Sequence, residues 1–123
     1  MRNVLLVAFG AALGFGALSA HAADLAEGEK VFKKCRACHA LEEGKKKVGP
    51  TLFGIVGAPA AGMKGFNYSA AMKNSGLTWD EATLDSYLEN PRQFIKGNRM
   101  AFPGLKKPED RANVIAYMKG YGR

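Results

Sequence analysis

Residues 35–39 read Cys35-Arg36-Ala37-Cys38-His39, or CRACH, and this stretch decides most of what the sequence predicts. It contains both cysteines of the 123-residue chain and one of its two histidines. Cysteines at this spacing are compatible with four kinds of site: a redox dithiol, a structural zinc site, a structural disulfide or a c-type haem attachment site. The rest of the chain favours one of them.

The first three kinds of site fit the sequence poorly. A redox Cys-x-x-Cys belongs in a βαβ pattern, whereas the segment LAEGEKVFKKCRACHAL (25–41) reads as a helix that runs into the motif. A closed zinc site needs four ligands, usually Cys or His, and the second histidine, His21, lies in a segment that we expect to be removed. A disulfide between residues three apart on a helix strains the bridge geometry.

The sequence Cys-x-x-Cys-His is the specific signature of c-type haem attachment. Each thiol adds across one haem vinyl group and forms a thioether, and two intervening residues let both sulfurs reach vinyls on one side of the macrocycle. His39 then projects its imidazole to the iron as the proximal ligand. We therefore predict one haem c, bound covalently through Cys35 and Cys38.

A second axial ligand decides whether such a haem carries electrons or binds small molecules. The candidates are Met63, Met72, Met100, Met118 and the lysines. Met118 lies in an apolar helical stripe and fits the core better. We favour Met100, because it lies in GNRMAFPGL (97–105), between Gly97 and Pro103, a loop that can turn inward over a haem face. A thioether ligand there stabilises ferrous iron and raises the reduction potential.

The N-terminal segment, residues 1–23, reads as a cleaved secretory signal peptide. Arg2 precedes an uncharged run, VLLVAFGAALGFGALSA (4–20), and Ala20-His21-Ala22 has the small-x-small form of a cleavage site. An uncleaved anchor is the alternative, although the run is barely long enough to cross a bilayer, which takes about 17 residues or more. Removal leaves residues 24–123 as a single periplasmic domain without stable membrane insertion.

Hydrophobic periodicity predicts an all-α fold with three main helices. The first carries a stripe that begins at Leu25 and ends at Cys35. The segment TWDE (78–81) predicts a capping box, with Thr78 as the cap of a helix over about 80–89 that is stopped by Pro91. Pro108 opens the last helix. Its stripe comprises Val114, Tyr117, Met118 and Tyr121, and Gly122 fits its end.

Five segments together resemble class I c-type cytochromes, in particular the bacterial periplasmic proteins closest to mitochondrial cytochrome c. They are GEKVFKKCRACH (28–39), GPTLFGIVG (49–57), GFNYSAAMKNSGLTW (65–79), YLENPRQFIKGNRMAFPG (87–104) and VIAYMK (114–119). The resemblance covers nearly all of residues 24–123.

The resemblance implies a class I cytochrome c fold, with three main helices and short helices around one covalently bound haem whose edge is exposed. It implies His39 and Met100 as the axial ligands. It also implies that the first and last helices cross closely. At that crossing Gly28 and Phe32 would face Val114 and Tyr117.

The resemblance further assigns roles to residues around the haem. The carbonyl of Pro50 is expected to accept the proximal imidazole N–H, which orients the ring. Tyr68 and Trp79 match residues that hydrogen-bond a haem propionate. Tyr87 matches the hydroxyl near the axial methionine sulfur, and Phe102 matches the aromatic side chain that shields the exposed edge.

Two positions depart from the family pattern. Ala58 stands where many relatives carry an arginine near a propionate, and Met72 stands where asparagine or threonine is common. Both changes remove polarity beside the haem. Met72 is also a rival to Met100 as an axial ligand.

The chain is basic, with a net charge of +7 and an isoelectric point near 9.6. Nucleic acid is not expected as a partner, because the chain is exported and has no nucleic-acid-binding motif. By resemblance, a basic ring surrounds the exposed haem edge and steers association with acidic surfaces of redox proteins. The matching residues are Lys33, Lys47, Arg92, Arg99, Lys106 and Lys107.

The expected function is one-electron transfer by a monomeric carrier that is not an enzyme and has no catalytic residue. Its partners, by resemblance, are a cytochrome bc-type complex and a terminal cytochrome oxidase or photosynthetic reaction centre. One alternative is a dedicated electron acceptor or subunit of a periplasmic dehydrogenase. Another is an enzyme or gas-binding protein such as a peroxidase, which would need an open sixth iron position that the Met100 loop argues against.

Overall fold

The computed structural model describes residues 10, 11, 14 and 22–122, so the signal peptide predicted for residues 1–23 lies almost wholly outside the described residues. Within that part of the chain no helix is both long and apolar enough to cross a membrane. Its secondary structure consists of helices, and the one isolated β-bridge joins Pro59 to Thr78. The helices are α1 (Leu25–Arg36), α2 (Ala70–Lys73), α3 (Glu81–Glu89), α4 (Pro91–Phe94) and α5 (Pro108–Lys119). The all-α prediction is confirmed.

The first and last helices cross at Gly28, as predicted. A Cβ atom at this position would overlap the carbonyl oxygen of Asn113 and lie 2.8 Å from Cβ of Tyr117. Beside this contact the rings of Phe32 and Tyr117 pack with their centroids 5.5 Å apart. The absence of a side chain at Gly28 thus lets α1 and α5 approach closely. This crossing fixes the direction in which α1 delivers the CRACH motif.

Two predicted helix ends are wrong in detail. The N-cap of α3 is Asp80 and not Thr78, because the Asp80 carboxylate accepts the Thr83 backbone N–H at 2.7 Å. Helix α5 ends at Lys119 with Gly120 as its C-cap, so Gly122 is not the stop and Tyr121 lies beyond the helix.

The core lies between α1, α3 and α5 and extends to the loop that follows α4. Its buried side chains are Val31, Phe32, Trp79, Leu84, Tyr87, Leu88, Ile95, Leu105, Val114, Ile115 and Met118. A buried cation, Arg111, also belongs to this region. It pairs with Asp85 at 2.7 Å and donates to the carbonyl of Leu105 at 2.9 Å, so its charge and hydrogen-bonding groups are compensated. These contacts tie α5 to α3 and to the segment that follows Met100.

Candidate haem site

A cavity of about 950 Å³ lies beside this core. It is near the upper end of the range of roughly 300–1,000 Å³ that is usual for cofactor and ligand sites. All nine residues predicted for the haem site line it, although they come from distant parts of the chain. They are Cys35, Cys38, His39, Pro50, Tyr68, Trp79, Tyr87, Met100 and Phe102.

The two cysteines stand where α1 ends. The backbone N–H groups of Cys38 and His39 both donate to the Cys35 carbonyl, at 3.0 and 2.9 Å, which folds the motif into a tight turn. The thiols are not joined in a disulfide. Burial raises the pKa of the Cys35 thiol to about 11, although nearby Lys34 acts in the opposite direction. Redox-active cysteines have lowered pKa values, so Cys35 is unlike the attacking thiol of a redox dithiol.

The His39 imidazole is oriented by the Pro50 carbonyl, as the resemblance implied. Its Nδ1 lies 2.7 Å from the Pro50 oxygen. Because a carbonyl can only accept, Nδ1 carries the proton and Nε2 keeps its lone pair for a metal. Burial lowers the pKa of His39, and the charge of Lys47 lowers it further, while the bond to Pro50 acts against both. The neutral imidazole that iron ligation requires is therefore favoured.

Gly49 packs against the His39 ring, and the sequence analysis did not single it out. A Cβ atom there would lie 2.7 Å from Nδ1 and 2.9 Å from Nε2 of His39. Its N–H donates to the Cys38 carbonyl at 2.8 Å. This glycine joins the segment that carries Pro50 directly to the attachment motif. The only sequence signal for it is its place immediately before Pro50.

Met100 lines the same cavity and is half-buried. The Tyr87 hydroxyl donates to its Sδ atom at 3.8 Å, as the resemblance implied. Burial raises the pKa of Tyr87 to about 12, so this hydroxyl stays protonated and able to donate. The Tyr87 ring packs on Trp79 with 4.8 Å between centroids. The Met100 backbone N–H donates to Oδ1 of Asn98 at 2.8 Å.

The other methionines differ in what they contact. The Met63 sulfur accepts the Thr51 N–H at 3.4 Å, and its own N–H donates to the Tyr68 hydroxyl at 3.0 Å. Met118 is buried in the core, which agrees with the prediction for it. Met72 lines the cavity and packs against the core, so it lies in the region where the sequence placed a rival ligand.

The remaining predicted residues keep roles that are still predictions. The Tyr68 hydroxyl accepts a hydrogen bond from the Met63 backbone N–H. Its hydrogen bond to a haem propionate stays a prediction. Trp79 is buried, and its backbone N–H donates to the Ala58 carbonyl at 2.8 Å. Ala58 and the half-buried Phe102 also line the cavity.

Comparison with known proteins agrees with this geometry. Residues 25–121 match the family model described as cytochrome c. This chain belongs to the cytochrome c family. It is 51% identical to cytochrome c2 of Rhodomicrobium vannielii over 96% of this chain and 95% of that protein. It is 48% identical to cytochrome c of Nigella damascena over 81% of this chain and 92% of that protein. The solved structure of cytochrome cH from Methylobacterium extorquens superposes with a TM-score of 0.75 at 48% identity, covering 79% of this chain and 98% of that one.

The haem interpretation of CRACH is therefore confirmed, and this cytochrome c binds haem c. The residues present fit that group. The cavity walls are largely apolar, two thiols and a neutral imidazole stand together at one point of the wall, and a thioether is available in the same cavity. When bound, the haem supplies an iron that cycles between Fe(II) and Fe(III).

Proposed function

We propose that this cytochrome c is a one-electron carrier of the bacterial periplasm, with His39 and Met100 as its two axial ligands. The observation that carries the proposal is the cavity itself, which contains both an imidazole with a free Nε2 and a thioether. Two protein ligands leave no iron position for a substrate, so the protein needs no catalytic residue.

The chain's own residues prepare the ligands for this role. The Pro50 carbonyl holds the His39 proton on Nδ1, and Tyr87 donates to the Met100 sulfur. Apolar side chains, including the buried Trp79, exclude water from the cavity and stabilise the less charged ferrous state. Phe102 and Tyr68 are proposed to shield the exposed edge and to bind a propionate, respectively.

The surface supports docking to acidic partners. The six residues of the proposed basic ring are all exposed: Lys33, Lys47, Arg92, Arg99, Lys106 and Lys107. Three of them donate to backbone carbonyls, which carry no compensating charge. We propose that the exported domain, residues 24–123, acts as a monomer between a cytochrome bc-type complex and a terminal oxidase or reaction centre.

The decisive experiment is an optical spectrum of the reduced holoprotein with and without carbon monoxide. A low-spin c-type spectrum that carbon monoxide leaves unchanged is expected, because both axial positions are filled. Ready binding of carbon monoxide would show an open sixth position and would favour an enzyme or gas-binding protein.

Docking is tested by the salt dependence of electron transfer from a purified cytochrome bc-type complex. Lys107→Glu is expected to slow the reaction and to flatten its dependence on ionic strength, because it reverses one charge of the proposed ring. Lys30→Glu is the matched control, since Lys30 is exposed and already pairs with Glu27 at 2.6 Å. Equal effects of the two variants would contradict a docking ring.

A further inference from the structure

The Met100 side chain packs against the core, but the hydrogen bond that reaches its sulfur is weak. Its hydrogen bond from the Tyr87 hydroxyl is 3.8 Å long. A bond of that length cannot by itself fix a side chain that has three rotatable bonds. The sulfur is therefore placed mainly by the backbone from which it extends. We infer that Asn98 is the positioning residue that holds this backbone and so keeps the sixth iron position closed, an inference that rests on the proposed role of Met100.

The Asn98 side chain makes three short hydrogen bonds. Its Oδ1 accepts the Met100 N–H at 2.8 Å, two residues further along, which is the geometry of an Asx turn. Its Nδ2 donates to the carbonyls of Pro91 at 2.7 Å and Ile95 at 2.8 Å. The amide thereby uses its acceptor on Met100 and both of its donors on the preceding helix.

Those two carbonyls belong to a buried part of the structure. Pro91 is the first residue of α4 and is fully buried, and Ile95 is the C-cap of α4 and belongs to the core. The Pro91 carbonyl also accepts the Ile95 N–H at 3.1 Å, and the Ile95 carbonyl also accepts the Asn98 N–H at 3.1 Å, so the Asn98 amide adds a second hydrogen bond to each. The same side chain thus links the core to the backbone of Met100.

The other end of the Met100 loop is anchored separately. Leu105 donates its N–H to the Leu88 carbonyl at 2.7 Å. Gly104 adopts a φ of +103°, and a Cβ atom there would overlap the Glu89 carbonyl oxygen. The loop after Met100 is therefore fixed against the end of α3. Before Met100, the Asn98 backbone N–H also bonds Ile95, but only the side chain extends that anchor to Met100 itself.

Loss of the anchor is expected to raise the fraction of molecules in which the sulfur has left the iron. An external ligand binds only to that open fraction, so its apparent affinity rises in proportion to it. Removing the bond to Met100 costs about the net contribution of one hydrogen bond, which corresponds to a roughly fivefold change in an equilibrium. The affinity for an external ligand therefore measures how far Asn98 lowers the fraction of molecules with an open sixth position.

The test is a titration of oxidised holoprotein with imidazole. Asn98→Ala is expected to bind imidazole roughly five- to tenfold more tightly than the wild type. Asn98→Asp keeps an oxygen for the Met100 N–H but loses both donors to the Pro91 and Ile95 carbonyls, so it is expected to bind imidazole at least as tightly as Asn98→Ala. Asn90→Ala is the matched control, because Asn90 caps the other end of α4 by accepting the Gln93 N–H and does not contact Met100. It is expected to stay within about twofold of the wild type.

The outcomes separate a positioning role from a structural one. A structural role would lower the free energy of unfolding of Asn98→Ala and Asn90→Ala alike, with equal imidazole affinities, and this result would overturn the inference. Wild-type imidazole affinity in Asn98→Asp would overturn it as well, because the link from Met100 to α4 would then be dispensable. Asn98→Leu keeps the side-chain volume and replaces Asn98→Ala if the latter yields too little holoprotein. A wild type that already binds imidazole at micromolar concentration would instead refute the proposed ligation by Met100.

Discussion

The two proposed iron ligands are held in different ways. His39 follows directly after Cys38, its ring donates to the Pro50 carbonyl at 2.7 Å, and Gly49 packs against it. Met100 receives a hydrogen bond of 3.8 Å on its sulfur, packs against the core and is otherwise placed through its backbone. Two backbone segments thus hold the imidazole. The thioether sits on a loop that is held by Asn98 and Leu105 at its ends and by Arg99, whose guanidinium donates to the Asn67 carbonyl at 3.2 Å.

This difference determines which ligand should leave first. Displacing His39 would break a short hydrogen bond and a packed contact with Gly49, next to the covalent attachment of the haem. Displacing Met100 needs only a rotation of its side chain or a small movement of its loop. We therefore expect exchange of the axial ligand, with the fall in reduction potential that follows it, to begin at Met100. Early unfolding is expected to begin on the same side of the haem site.

Removal of both thiols should have the largest effect, because it abolishes the attachment beside His39. The double variant Cys35→Ala/Cys38→Ala is expected to yield no covalently bound haem after expression with the maturation machinery. Haem-stained denaturing gels and mass spectrometry measure this directly. Arg36→Ala, within the same motif, is the control and should still carry haem. Full covalent attachment in the double variant would refute the assigned site.

Met100→Ala should have the next largest effect, and it should leave the His39 side intact. The reduction potential is expected to fall and the ferrous protein to bind carbon monoxide, because the thioether that favours Fe(II) is gone. Potentiometry and the carbon monoxide spectrum report both changes. Met63→Ala is the control, since the Met63 sulfur is already engaged by the Thr51 N–H. An unchanged potential in Met100→Ala would point to another ligand, with Met72 the first alternative in the cavity.

The two sides also differ in how far the sequence predicts them. The attachment motif could be predicted because Cys35, Cys38 and His39 are close in sequence and their spacing reflects the chemistry directly. The candidates for the second axial ligand could be narrowed to Met100 from its loop and from the resemblance. Asn98 and Gly49 could not be found, because their roles depend on contacts with α4 and with the His39 ring that no local pattern encodes.

The helix caps show the same limit. Thr78 and Asp80 are both good N-cap residues, and both lie at the start of a helical pattern. The structure places Thr78 in a bridge with Pro59, so the chain is still extended there and the helix begins only after Asp80. That pairing of distant residues decides the cap, and composition alone could not supply it.

Gly49→Ala tests the packing on the His39 side. The added methyl group must displace the imidazole or the backbone, since its ideal position lies 2.7 Å from Nδ1. Overpacking of this kind usually lowers the free energy of unfolding by about 1–3 kcal/mol. Chemical denaturation of the oxidised holoprotein measures it. Gly62→Ala is the control, because a Cβ atom there would lie 3.2 Å from the Pro59 carbonyl oxygen and would not contact the His39 imidazole. If both variants lost the same free energy of unfolding, the contact between Gly49 and His39 would contribute no more to stability than the control position does.

Tyr87→Phe should have the smallest effect, and it sharpens the contrast between side-chain and backbone control of Met100. The change keeps the ring packing on Trp79 and removes only the hydroxyl that reaches the sulfur at 3.8 Å. A bond of that length contributes less than about 1 kcal/mol, so the potential and the imidazole affinity should change less than in Asn98→Ala. Potentiometry and imidazole titration on both variants make the comparison. A larger effect of Tyr87→Phe would mean that the hydroxyl, and not the Asn98 anchor, holds the sulfur on the iron.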